Sequence, residues 1–193
     1  MKKTTIIFQL LFFVMISGVA QEKKYERERR VKPSEIPFQI QSLLQPYLEK
    51  AHHSKFYKET DFDHESFEVK FRWNKVKYSI EFSNLAELED IEATIKWADL
   101  GEQVQSGICT FFSQFEKHKI DKIQQQFSSK SIMDKEALDQ ALNDFKGEIV
   151  RYELVVELKE QKEWTPYELL FDDEGILISK REITKRTTDF ILY

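Results

Sequence analysis

Apolar and polar positions alternate with a period of two through the middle of the chain. Phe67, Val69, Phe71 and Trp73 alternate with Glu68, Lys70 and Arg72; Tyr78, Ile80 and Phe82 alternate with Ser79 and Glu81; Ile91, Ala93, Ile95 and Trp97 alternate with Glu92, Thr94 and Lys96. Successive side chains of a strand point to opposite faces, so each run has one apolar and one charged side. That pattern predicts an antiparallel sheet packed on one face and wet on the other. A weaker run from Lys55 to Thr60 is expected to add a strand. Ahead of these, "PSEIPFQIQSLLQPYLEKA" carries the helical period. Ile36, Ile40, Leu43, Leu44 and Tyr47 fall on one face, with Ser34 as the expected cap, Pro37 in the first turn and Pro46 set to kink or end the helix. This helix is the expected cover for the apolar side of the sheet.

The plan then recurs. "EQVQSGICTFFSQFEKHK" predicts a second helix with Val104, Ile108, Phe111, Phe112 and Phe115 on one face. The hairpin "KYSIEFSNLAELEDIEATI" (77–95) has a counterpart in "PYELLFDDEGILISKREI" (166–183): an offset of 89 sets Tyr78 on Tyr167, Ile80 on Leu169, Phe82 on Phe171 and Leu88 on Leu177. "FEVKF" from Phe67 matches "YELVV" from Tyr152 at an offset of 85, the difference falling to a longer hairpin loop, "KEQKEWTP". Lys119 to Ser129 reads as helix from its local spacing and as strand from its place in the repeat; the strand reading is preferred. "DKEALDQALNDF" is expected to be an inserted helix capped by Asp134 or Ser131. The fold class that follows is α+β: two tandem repeats, 34–99 and 101–193, each a helix on one face of an antiparallel four-stranded sheet.

"MKKTTIIFQLLFFVMISGVA" has the build of a secretory signal peptide: Lys2 and Lys3, a short apolar run and small residues before an expected cleavage after Ala20. The apolar run is too short to span a membrane. The chain is therefore expected to be periplasmic or secreted, with residues 21–33 a charged, flexible arm. Loss of the first 20 residues leaves 27 Lys and Arg against 34 Asp and Glu, a net charge of −7, which argues against nucleic acid as a partner. With Cys109 the sole cysteine, no internal disulfide can form, and its place between Ile108 and Phe111 predicts buried packing.

Catalytic chemistry has no visible carrier. The chain has neither a nucleophile elbow nor a zinc-protease helix nor a phosphate-binding glycine loop, and only five glycines in all, so no enzyme activity and no cofactor is expected. His52, His53, Asp61, Asp63, His64 and Glu65 offer donors for a metal, but at a spacing that fits no known site. "DDEG" holds too few oxygens for a calcium loop, and Gly175 is expected to supply the positive φ that closes a hairpin. On the charged face of the second repeat, Val155 and Leu170 stand out among Glu153, Glu157 and Glu168. They mark either a partner-binding surface or a place where the other repeat or the tail "DFILY" packs. Trp73, Trp97 and Trp164 are candidates to line an apolar ligand cavity, or ordinary packing residues.

Taken together, the signal peptide, the doubled helix-and-sheet plan and the stretches "VKPSEIP", "YSIEF" and "LEDIEATIKW" resemble the PepSY-like, or β-lactamase-inhibitor-like, family of secreted bacterial proteins. The first copy departs from the glycine turn, with Ala86 where the second has Gly175. The resemblance implies a tandem sheet fold with helices on one face. It further implies a non-catalytic binding role, as inhibitor or regulator of an extracytoplasmic protein, and supplies no catalytic residues. The alternative is binding or sensing of a small ligand or metal.

Overall fold

The computed structural model describes residues 22–184 apart from Glu26 and Gln161; the expected signal peptide and the tail "DFILY" lie outside the described residues. The elements run β1 (Glu22–Lys24), β2 (Arg27–Val31), a short 3-10 turn (Pro33–Glu35), α1 (Phe38–Leu48), β3 (His52–Asp61), β4 (His64–Trp73), β5 (Val76–Ser83) and β6 (Leu88–Thr94). After a second 3-10 turn (Trp97–Asp99) come α2 (Glu102–Phe112), β7 (Lys117–Ser128), α3 (Asp134–Asp139) continued by a π turn (Gln140–Asp144), β8 (Ile149–Glu160), β9 (Glu163–Phe171) and β10 (Leu177–Ile183).

A helix followed by four strands thus occurs twice, but the strands do not form two sheets. They make one continuous ten-stranded sheet in the order β1-β10-β9-β8-β7-β6-β5-β4-β3-β2, antiparallel except where β1 lies parallel on β10. The junction is β6 on β7, from Ile91 opposite Phe127 to Thr94 opposite Gln124. A free edge on β6 and another on β7 would expose rows of unpaired backbone groups, and pairing the two removes both.

Several local expectations change. Within the charged segment 21–33, Glu22–Lys24 and Arg27–Val31 are strands: β1 pairs with β10 and β2 with β3, because the two sheet edges supply backbone partners that a charge pattern does not report. Lys119 to Ser128 is strand, within β7, and Ser129 follows its end. Pro37, not Ser34, stands at the N-cap of α1, and the helix runs through Pro46 to Leu48, since a proline in the last turn forfeits a single backbone bond. Met133 occupies the N-cap of α3 with no side-chain cap bond. β6 ends at Thr94, so Trp97 lies in a turn rather than a strand. β8 runs to Glu160, which pairs with Glu163 at the start of β9, with Lys162 at φ 75°, so the strands continue through most of the expected longer loop. Cys109 is exposed: it follows Ile108 by about 100° around α2, which turns it off the buried stripe of Val104, Ile108 and Phe112.

All three helices cover the same face. Ile40, Leu44 and Tyr47 of α1 pack on Val69, Phe71, Tyr78, Ile80, Phe82 and Ile91. That cluster is completed from the second half by Phe127 of β7 and by Ala137, Leu138, Ala141 and Leu142, and the Tyr78 hydroxyl donates to the Ala141 carbonyl at 3.3 Å. Val104, Ile108 and Phe112 of α2 pack on a separate cluster of Leu154, Val156, Leu158, Tyr167, Leu169 and Phe171. Gly175, at φ 82°, turns the β9–β10 hairpin up against Gly107 of α2, and the matching β5–β6 turn has Ala86 at φ 64°.

Two predictions follow from this packing. A chain containing only residues 34–99 lacks both the α3 cover and the β7 partner of β6, and is expected to show no cooperative thermal transition by circular dichroism; a sharp transition would mean that the first half owns a complete core. Gly107→Ala places a Cβ 2.5 Å from the Gly175 carbonyl oxygen, so α2 must shift. We expect a loss of about 1–3 kcal/mol in urea unfolding, as overpacking typically costs.

Candidate functional site: a carboxylate-lined chamber

The charged face of the sheet is only partly open to water. Residues opposite each other on a ladder share a face. Following the register from Glu68 through Glu81 to Asp90, from Lys70 through Ser79 and Glu92 to Gln126, and from Gln124 through Glu153 to Leu170 collects the polar residues of every central strand on one side. A twisted sheet of this many strands tends to curl. Register breaks at His52/Lys55, Glu81/Phe82, Ile120/Lys122 and Leu177/Ser179 bend it further, with the helices on the convex side.

The curl brings the two ends of the sheet together. β1 lies on the last strand at one end and β2 on the last strand at the other, yet only Tyr25 and Glu26 separate them, a span of at most about 11 Å. Across the seam the Tyr25 amide donates to Asp61 at the end of β3 (3.0 Å), Arg181 of β10 pairs with the same Asp61, and the Tyr25 ring stands edge-on to Phe62 at 4.8 Å. Lys24 pairs with Glu168, which Arg181 also approaches at 3.5 Å. The Thr184 amide donates to the Lys24 carbonyl at 3.2 Å.

Along the inside of the curled sheet lies a chamber of about 550 Å³, open to solvent and walled by residues from all ten strands. Ten carboxylates line it against four cationic side chains and one histidine. Three of the cations are committed to the wall itself: Lys24 to Glu168, Arg181 to Asp61 and Glu168, and Lys70 to Glu28 (2.7 Å) and Glu68 (2.6 Å). Burial opposes the charge on Glu68, but a hydrogen bond from Glu59, the Lys70 ammonium and the Ser79 hydroxyl together hold its pKa below the ordinary value.

The floor is different. Asp90 accepts from the Gln126 amide at 3.0 Å and Glu92 from the Gln124 amide, both neutral donors. Burial, reinforced by the surrounding carboxylates Glu81, Glu153, Glu89 and Glu68, pushes the Asp90 pKa well up. Burial and Asp90 raise Glu92 to about 8, against the pull of Lys122 and Lys24. Burial, Glu92 and Glu168 push Glu153 up as well. Carboxyls crowded in a low-dielectric pocket keep their protons unless a cation compensates.

The residues singled out in the sequence are distributed as follows. Val155 and Leu170 are half-buried and on the chamber wall, so neither belongs to an open surface. None of Trp73, Trp97 and Trp164 reaches the chamber: Trp73 stands edge-on to Tyr47 at 5.7 Å on the helix side, Trp97 packs beside the α2 cluster and Trp164 is exposed. His52 and His53 are exposed at the start of β3, Asp63 is exposed in the β3–β4 turn and Glu65 pairs with Lys58 at 3.0 Å, so these do not assemble with His64. His64 instead meets Glu89 at 3.2 Å. Among the described residues, donor atoms converge within 4.8 Å at His64, Glu81 and Glu89 and at Glu28, Glu59 and Glu68. The floor trio Asp90, Glu92 and Glu153 went unread in the sequence; its one signal was an acidic residue at alternating positions, which a solvated face also shows.

No family model and no curated protein sequence matches the chain. Its fold is shared with solved structures. A DUF2874 family protein from Bacteroides uniformis superposes with a TM-score of 0.52 at 14% identity, over 76% of this chain and 89% of that one. Another DUF2874 family protein, from Bacteroides ovatus, gives 0.51 at 14% identity over 76% and 86%. A predicted periplasmic protein from Bacteroides eggerthii gives 0.52 at 12% identity over 80% and 98%. Structurally the chain is similar to these PepSY-like proteins, the fold that the resemblance in the sequence implied; likeness at such identities concerns the fold alone. Among the described residues no helix is long and apolar enough to cross a membrane.

The raised floor carboxyls fix a sign for stability against pH. In the unfolded chain Glu92 ionises near its ordinary value of 4.5, whereas in the fold it holds its proton to about 8. Between those values the unfolded state is favoured progressively, so stability falls as pH rises from about 4.5 to about 8 and then levels. Glu92→Gln is expected to be more stable than the parent by a margin that grows across this window, read from urea midpoints at several pH values. A constant margin would show that Glu92 ionises normally in the fold.

Proposed function

We propose that the chain is a non-catalytic, extracytoplasmic binding protein whose ligand is a small molecule held in the chamber. The observation that carries this reading is the closure of the sheet: its one unusual face, with Val155 and Leu170 on it, is rolled inward and clipped at Asp61 and Arg181. A flat protein surface cannot lie against residues inside such a chamber, which weighs against the inhibitor or regulator reading for this face. A volume of about 550 Å³ suits a small organic ligand, and a few convergent polar groups on a preformed wall are what such sites have. The fold shared with a predicted periplasmic protein agrees with the expected signal peptide and with action outside the cytoplasm.

Native mass spectrometry of the chain purified gently from the extracytoplasmic fraction of a bacterial host tests it. The expected result is a bound small mass, lost in the double variant Val155→Ser, Leu170→Ser, whose melting temperature stays within a few degrees of the parent because both residues are only half-buried. Capture of a protein in place of a small mass, and its loss in the same variant, would overturn the proposal. So would a fall of many degrees, which two buried aliphatic side chains would cause.

A further inference from the structure

Resting on that reading, we propose that the ligand is a small organic amine carrying two or more ammonium groups joined by methylene chains. Four features of the chamber converge on this class. The first is charge: Lys24, Lys70 and Arg181 pair with wall carboxylates, while among the described residues the hydrogen bonds to the floor carboxyls Asp90 and Glu92 come from amides, and Lys122 and Lys24 act on Glu92 through their field. Lys122 lies two ladder positions from Glu153, opposite Val155 on β7 and β8.

The second feature is spread. The floor trio is not among the groups whose donor atoms converge within 4.8 Å, so it does not form a ready cage for a point ion. Asp90 and Glu92 are two residues apart on β6 and Glu153 is two strands away, with β7 between them. Carboxylates separated in this way match charges separated along one molecule. The third feature is apolar: Leu170 lies opposite Glu153 and Val155 opposite Glu168, so aliphatic surface sits directly between anionic groups. A methylene chain covers that surface while its ends reach the carboxylates, whereas a hydrated metal ion leaves it bare.

The fourth is an orphan acceptor. Gln124 is 4% exposed and lies on the same side of β7 as the chamber residues Lys122 and Gln126. Its Nε2 is tied to Glu92, and its buried Oε1 has no hydrogen-bond partner. A buried amide oxygen without a donor is costly, and an ammonium group beside Glu92 supplies one.

Isothermal titration of the folded chain with 1,4-diaminobutane and with spermidine tests the class, with butylamine, 1,4-butanediol and calcium chloride as comparisons. Expected is binding of the diamine or the triamine at least about tenfold tighter than any comparison. The double variant Glu92→Gln, Glu153→Gln, its fold verified by an unchanged or raised melting temperature, is expected to lose at least that factor, and Gln124→Leu a smaller part of it. Equal binding of butylamine or the diol, tighter binding of calcium, or a double variant that binds as the parent does would each overturn the assignment. The two proposals fail separately. A bound small mass that is not an amine, together with no diamine binding, removes this inference and leaves the chamber reading standing; absence of any small mass, with capture of a protein, removes the chamber reading as well.

Discussion

Closure of a ten-stranded sheet upon itself is the constraint on which everything else in this structure depends, and the contacts at Asp61 hold it. Asp61 receives the Tyr25 amide from the seam and the Arg181 guanidinium from the far end of the sheet, and so joins strands that are seven places apart in the sheet order. Charge-assisted hydrogen bonds of this kind are stronger than neutral ones and are least screened where they are partly buried, as here. Without the seam the same strands form an open curved sheet whose acidic face is solvated. With it, that face becomes an interior.

An interior made of carboxylates is electrostatically frustrated, and the structure relieves the frustration unevenly. Around the seam it does so with cations: Lys24, Lys70 and Arg181 each meet at least one wall carboxylate. On the floor it does so with protons, because burial and mutual repulsion raise Asp90, Glu92 and Glu153. In a pocket that stays neutral by holding protons, a bound cation would displace them.

The convex side has the opposite character. Two helices in equivalent places cover two apolar clusters, and α3 crosses from the second half to finish the cluster of the first. The doubled plan is therefore not two independent units laid side by side. The β6–β7 ladder and the α3 cover tie the halves together, so the chamber wall behind them is a single surface.

Much of this was legible in the sequence. Period-two alternation located β4, β5 and the core of β6, the helical stripes of Ile40, Leu44 and Tyr47 and of Val104, Ile108 and Phe112 were the ones that became buried, and the repeat placed Lys119 to Ser129 in a strand against its local spacing. These features are set by neighbours a few residues apart, where the geometry of a strand or helix makes spacing equivalent to facing. The chamber was not legible. Alternation says that Glu92, Glu153, Val155 and Leu170 share a side but not what covers that side, because curvature accumulates over ten strands and four register breaks. Nor did composition show that the charged segment after position 21 would be strand, since β1 and β2 exist through backbone bonds to edges far away in the chain. The sequence by itself determined the elements and their apolar faces; only the tertiary structure decided that the polar face would be inside, because burial of a carboxylate depends on the closure of the whole sheet and not on the strand that carries it.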